Sequence, residues 1–211
     1  MIIDKNISEL LEVTSSSSPT PGGGSISALA GSLGASLSMM VTNLSIGKKF
    51  YEEFDEDIKN KFNNHLIKLE KLRDELEKVI DEDSTAFDGV MKAFKMPKET
   101  DEEKSLRSEK IQEGYLQAIE VPRKCANLCI EVLRLQEFLA EFGNVNAITD
   151  VGVGALLAYS GLEGAILNVR INLNSIKNKE LKAQIEEDIN ELLNEGKDLK
   201  ETIMNVVYKR L

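Results

Sequence analysis

Residues 14–47 read TSSSSPTPGGGSISALAGSLGASLSMMVTNLSIG, and no Asp, Glu, Lys or Arg occurs from Thr14 to Gly47. In a chain that is 29% charged, so long an uncharged stretch must be shielded from water by something. A membrane span needs about 20 mostly apolar residues, and here Ser, Gly, Thr and Asn dilute the apolar ones. The expected structure is instead a helix buried in protein, from Ser25 to about Ile46. Leu29, Leu33 and Leu37 recur at four-residue steps, and Ala30, Gly34 and Ser38 form a parallel stripe of small residues. Large groups on one stripe and small ones on the other suit a helix packed closely on several sides.

The remaining segments also read as helix. Residues 4–13 form a short amphipathic helix. A long helix is expected from about Glu52 to Phe94, with an apolar stripe of Phe54, Ile58, Phe62, Leu66, Leu69, Leu72, Leu76, Ile80, Phe87, Val90 and Phe94. The steps are three or four residues except between Ile80 and Phe87, and the position that fills that gap is Asp83. After Pro97, Thr100-Asp-Glu-Glu103 has the form of a capping box. Its helix is expected to run to about Glu120, with Val121-Pro122 restarting or kinking it. The next helix carries Cys125, Leu128, Cys129, Val132, Leu135 and Leu139 and stops near Gly143. Thr149 or Asp150 is expected to cap a second apolar helix, Val151 to about Leu173. An amphipathic segment from Asn178 to Leu211 ends the chain.

No stretch alternates with the two-residue period of a strand. The expected fold is all-α: one domain over residues 1–211, a helical bundle with two apolar central helices surrounded by long amphipathic helices. Faces left over on such long helices suit a homo-oligomer.

Composition removes several classes of function. The chain has 26 basic and 36 acidic residues, a net charge of −10, whereas a general nucleic-acid binder needs excess positive charge. Two cysteines and one histidine fall short of the roughly four ligands of a zinc site, so no metal is expected. Cys125 and Cys129 read as buried free thiols of a reducing compartment, and His65 as a surface histidine. The opening Met1-Ile-Ile-Asp-Lys5 lacks the basic start and apolar run of a signal peptide. A cytoplasmic protein with no membrane contact is expected.

Three places can carry chemistry. Pro21-Gly22-Gly23-Gly24-Ser25 leads into a helix, where backbone N–H groups and the helix dipole can cradle an anion. A tight turn that lets backbones approach accounts for it equally well. It is not a P-loop, because G-x-x-x-x-G-K-[ST] is absent. Asp83, a carboxylate on an apolar stripe, must be paired, neutralised or functional. A hydrogen bond to a helix end or a basic residue would satisfy it, and so would a role as site acid, base or cation partner. Between Gly143 and Asp150 lie Asn144, Asn146 and Asp150, more polar groups than capping requires. Lys48 and Lys49 close the uncharged helix, as dipole partners or as anion ligands.

Taken in order, the chain resembles the cyclodeaminase/cyclohydrolase family of folate enzymes. That family includes the C-terminal domain of formiminotransferase-cyclodeaminase and stand-alone methenyltetrahydrofolate cyclohydrolases. The resemblance rests on Pro19-Thr-Pro-Gly-Gly-Gly-Ser25, Gly47-Lys-Lys49 with Tyr51, Asp83-Ser-Thr-Ala-Phe87, Lys95-Met-Pro-Lys98, Val121-Pro122, Gly143-Asn-Val-Asn-Ala-Ile-Thr-Asp150 and Asn168-Val-Arg-Ile-Asn172. It spans nearly the whole chain. Met96 departs from the leucine frequent in the family, conservatively.

The resemblance implies an all-helical homodimer with a folate site lined by these motifs, and no covalently bound cofactor; a tetrahydrofolate derivative is the substrate. Asp83 and Lys48 are the expected catalytic residues. Pro21, Gly22, Gly23, Gly24, Ser25, Asn144, Asn146, Asp150, Asn168 and Asn172 are the expected substrate-binding residues. The expected reaction is hydrolysis of 5,10-methenyltetrahydrofolate to 10-formyltetrahydrofolate. The alternatives are formiminotetrahydrofolate cyclodeamination, which releases ammonia, and a non-catalytic helical scaffold. The chain carries no fused formiminotransferase domain, which favours the cyclohydrolase.

Overall fold

The computed structural model describes all residues from Met1 to Leu211. Eight α-helices follow one another: α1 (Ile7–Thr14), α2 (Gly23–Ser45), α3 (Lys49–Glu52), α4 (Glu56–Thr85), α5 (Asp88–Phe94), α6 (Asp101–Phe142), α7 (Ile148–Leu173) and α8 (Lys179–Arg210). A short 3-10 turn, Val145–Ala147, feeds α7, and there is no strand. The bundle is all-α, as the periodicity indicates.

Polar caps set most of the starts. Asn6 with Glu9 and Thr100 with Glu103 each form a reciprocal capping box. Asp55 accepts from the Ile58 N–H, and Asn178 from the N–H groups of Glu180 and Leu181. Each such cap is worth about 1 kcal/mol of helix stability.

The two apolar helices α2 and α7 lie antiparallel. Gly23 neighbours Asn168, Gly31 neighbours Gly161, and Gly34 neighbours Gly154 and Ala158. The approach is backbone on backbone: a Cβ on Gly161 would sit 2.7 Å from the Ser27 carbonyl oxygen and 3.0 Å from the Gly31 nitrogen. Of the expected small stripe, Gly34 and Ser38 are buried, joined by Gly31 and Ala35, whereas Ala30 is only half-buried. The expected enclosure on several sides does not occur within one chain. Helices α4, α6 and α8 pack against one side of the pair, and Leu33, Met40 and Leu44 of α2 stay exposed, as do Val153, Leu156, Leu167 and Ile171 of α7.

Three local expectations are corrected. The helix expected over 52–94 breaks after Thr85. Ser84 Oγ donates to the Asp81 carbonyl and Thr85 Oγ1 to the Glu82 carbonyl, and such back-bonding competes with the regular ladder. The stripe is interrupted there, so Phe87 and Phe94 are exposed rather than core. Pro122, conversely, does not restart a helix but lies buried inside the 42-residue α6. A proline cannot donate to the carbonyl four residues back, here Ala118, and the Asn172 side chain donates to that oxygen at 3.1 Å. Finally, α7 begins at Ile148, and it is Asn144 whose side chain caps the preceding turn, accepting from the Asn146 N–H.

His65 is half-buried rather than on the surface, edge-on to Phe138 at 4.8 Å, and its buried Nδ1 has no partner. Burial lowers its pKa below 6.5, and Lys68 and Lys61 add to the effect. The folded state therefore resists a proton that the unfolded chain accepts, and this contribution to stability is lost as pH falls below 6.5. A His65→Leu variant should lose less melting temperature than wild type on acidification from neutral pH. Asn172→Ala should lower the free energy of unfolding by about 1–3 kcal/mol, the cost of an orphaned buried carbonyl, as read by urea denaturation.

Candidate active site

At the N-terminus of α2 the chain Pro19–Gly24 meets the end of α4 and the start of α5. A cleft of about 580 Å³ opens there, lined by Pro19, Thr20, Gly22, Gly23, Gly24, Asp83, Ser84, Phe87, Asp88, Met91 and Asn168. Its floor is the uncapped first turn of α2: Gly22 is the N-cap residue and brings no side chain to the N–H groups behind it.

Asp83 supplies that missing cap from α4. Its Oδ2 accepts from the Ser25 N–H at 2.8 Å and lies 3.0 Å from Ser25 Oγ. Ser25 Oγ also reaches the Ile80 carbonyl at 2.9 Å, so its single proton is shared between two acceptors. Asp83 Oδ1 makes no hydrogen bond within the chain, and Asp83 lines the cleft beside Gly24. A Cβ at position 24 would overlap the Asp83 carboxylate, so only glycine lets α4 approach this closely. Asp83 makes no ion pair; its positive neighbour is the α2 N-terminus, where backbone dipoles favour a negative charge. The side chain thus does both things the sequence left open: it satisfies a helix end, and it lines a cleft.

The other wall comes from α7 and α5. Asn168 Nδ2 donates to the Gly164 carbonyl at 2.9 Å and leaves Oδ1 free beside Gly23. Phe87 and Met91 expose apolar surface to the cleft, 40% and 47% accessible, and Phe87 stacks edge-on to Tyr115 at 5.8 Å. Asp88 and Met91 belong to none of the motifs read from the sequence. The break after Thr85 turns α5 toward the cleft, and the Ser84-Thr85 pair is the sequence signal for that break. No group of three or more His, Cys, Asp or Glu side chains is placed to hold a metal ion.

The remaining expected site residues lie elsewhere. Helix α2 has 23 residues, so its ends are about 35 Å apart, and Lys48 is at the far one. Asn144 is there too: its N–H donates to Ser45 Oγ and its Nδ2 to the Leu44 carbonyl. The side chains of Lys48, Asn146 and Asp150 at this end have no hydrogen-bond or ion-pair partner in the chain. Asn172 does not line the cleft and is engaged with Ala118. One chain therefore gathers Gly22, Gly23, Gly24, Ser25, Asp83 and Asn168, and holds Lys48, Asn144, Asn146 and Asp150 apart at the opposite end.

Residues 6–191 match the family model described as formiminotransferase-cyclodeaminase. The chain is 42% identical over 208 residues to a methenyltetrahydrofolate cyclohydrolase of Methylorubrum extorquens, covering 99% of this chain and 98% of that one. It is 34% identical over 209 residues to the formimidoyltransferase-cyclodeaminase of Gallus gallus, of which it spans 38%. The crystal structure of a formiminotetrahydrofolate cyclodeaminase from Thermotoga maritima superposes with a TM-score of 0.80 at 26% identity, covering 100% of this chain and 98% of that one.

The cap makes a prediction. Asp83→Ala removes the only side-chain acceptor for the Ser25 N–H and should cost about 0.5–2 kcal/mol of stability, the usual range for a lost N-cap. Asp83→Asn keeps a carbonyl oxygen there and should cost less. Thermal and urea melts of the two variants check the order.

Proposed function

The chain belongs to the formiminotransferase-cyclodeaminase family, and on that footing we propose that it is a methenyltetrahydrofolate cyclohydrolase, one helical domain over residues 1–211. It adds water to 5,10-methenyltetrahydrofolate and releases 10-formyltetrahydrofolate. The end-to-end similarity to the Methylorubrum cyclohydrolase carries the choice of reaction. The site geometry supplies the means: a carboxylate oxygen, Asp83 Oδ1, without a partner, on a side chain that lines a cleft.

The substrate carries a delocalised amidinium cation at its one-carbon bridge, and a carboxylate is its natural counter-charge. Asp83 attracts that cation and takes a proton from the water that attacks the bridge carbon. The tetrahedral carbon then has oxygen added and both N5 and N10 still bound. The N5–carbon bond breaks as N5 receives a proton from Asp83, and one proton is released overall as the cation becomes a neutral formamide. A single carboxylate serves as base and then acid. The bare N–H groups of the Gly22–Gly24 turn offer donors to a carbonyl or anionic oxygen, Asn168 Oδ1 offers an acceptor, and Phe87 and Met91 give the flat pterin an apolar wall.

Cyclodeamination is the second reading, favoured by the match to the Gallus and Thermotoga proteins. It passes through the same kind of tetrahedral carbon between N5 and N10, so this site chemistry serves it as well. The active species is a homodimer in the cytoplasm, with no covalently bound cofactor. The half-covered α2–α7 pair supports the dimer, and the two buried free thiols support a reducing compartment.

Loss of methenyl absorbance at near-neutral pH, set against ammonia release from formiminotetrahydrofolate, separates the two reactions. Acceleration of neither would overturn the enzyme reading and leave a scaffold. Asp83→Asn should lower turnover by a factor of about 100 or more, as general acid–base groups do, with the helical content unchanged. A turnover like that of wild type would remove Asp83 from the chemistry.

A further inference from the structure

The motif Lys95-Met-Pro-Lys98 has no part in the cleft chemistry, yet it continues directly from the cleft wall. Helix α5 supplies that wall with Phe87, Asp88 and Met91. Asp88, Met91 and Lys95 stand at i, i+3 and i+7, so they share one helix face. Lys95 is the C-cap of α5 and keeps right-handed helical backbone angles. It lies one turn beyond Met91 and about 10 Å along the axis from Asp88. Lys92 stands one turn from Asp88 and borders a neighbouring cavity of about 240 Å³ between α5 and α6. No acidic residue occurs from Gly89 to Lys98.

Both lysines are exposed, and neither ammonium has a hydrogen-bond or ion-pair partner in the chain. On α6, by contrast, Lys104 is paired with Asp101 and Lys110 with Glu113. A cation in the last turn of a helix commonly serves the helix dipole. Arg107 already fills that role for α5: it donates to the Phe94 carbonyl at 3.1 Å and lies over the Phe94 ring at 5.5 Å. Lys92 and Lys95 are left without a structural task. The two charged residues that line the cleft itself, Asp83 and Asp88, are both acidic. The surface along α5 is therefore polarised, negative beside the glycine turn and positive at the far end of the helix.

We infer that Lys95, with Lys92 beside it, binds the glutamate carboxylates of the folate, and that the polarity of α5 fixes the direction in which the substrate lies. The inference rests on the folate reading. The substrate has the matching polarity, a cation at the one-carbon bridge and carboxylates at its far end. With pterin and bridge in the cleft, the aromatic ring that joins the bridge to the glutamate leaves past Met91, and the carboxylates arrive at the C-terminal end of α5. The reverse direction sets those carboxylates beside Asp83 and Asp88, like charge against like charge. Lysine suits the task, because an ammonium on a flexible stem can meet either carboxylate.

Calorimetric titration tests this without turnover, using 5-formyltetrahydrofolate and the same compound lacking its glutamate. Wild type should bind the complete ligand more tightly. Lys95→Ala should weaken the complete ligand about fivefold, and Lys92→Ala with Lys95→Ala about tenfold or more, the size of one and two solvent-exposed charge contacts. The ligand without glutamate should lose nothing. Lys95→Arg should restore most of the affinity, and added salt should weaken the complete ligand more in wild type than in Lys95→Ala. Lys71→Ala, an exposed lysine about 18 Å along α4 from Asp83, controls for net charge and should match wild type. An equal loss for both ligands would make Lys95 a structural residue, and no loss for the complete ligand would remove it from the tail; either overturns the inference. Equal wild-type affinity for the two ligands would overturn it too, while leaving the folate reading standing. If wild type binds neither ligand, the folate reading fails and this inference falls with it.

Discussion

The close approach of α2 to α7 is the contact on which everything else in this molecule depends. Gly31, Gly34, Gly154 and Gly161 let two backbones meet where any Cβ would intrude. Because the backbones meet, the larger side chains of both helices must point elsewhere. Some reach α4, α6 and α8, and the rest form a second apolar face that the chain itself leaves open. The same contact sets Asn168 beside Gly23 and holds Asn144 against the C-terminus of α2. It thereby sets these two groups of residues at opposite ends, about 35 Å apart, of one helix pair.

The exchange between Asp83 and Ser25 is the counterpart of that contact at the site. A helix that opens on three glycines has no side-chain cap of its own, and α4 supplies one with a carboxylate. That arrangement binds the cleft to the fold, because the oxygen used for structure and the oxygen offered to a ligand belong to the same group. Gly24 is the residue that permits it. Asp83 and Asn168 of the cleft are therefore carried by helices, α4 and α7.

Periodicity carried most of the fold. The capping box at Thr100, the amphipathic α4 and α8, and the two apolar helices follow from residue spacing alone. Asp83 stood out because it occupies an apolar register, and it does meet the glycine turn. What spacing concealed was tertiary. Pro122 reads as a break until Asn172, remote in sequence, is seen to satisfy the carbonyl that proline strands. Phe87 reads as core until the Ser84 and Thr85 hydroxyls are seen to end the helix. A helix with large and small stripes reads as enclosed, whereas only the face carrying Gly31, Gly34, Ala35 and Ser38 is enclosed within the chain. The grouping of Lys48 with the glycine turn followed from motif order, and order along a chain carries no information on which end of an antiparallel pair a residue occupies.

On the proposed function, the glycine turn and Asp83 form the floor of a folate site. A crystal structure with a stable tetrahydrofolate analogue tests it most directly. The one-carbon bridge region should lie over the Gly22–Gly24 turn, with Asp83 Oδ1 within hydrogen-bonding reach of the bridge or of a water beside it. A folate bound away from this turn, with Asp83 engaged only with Ser25, would contradict it.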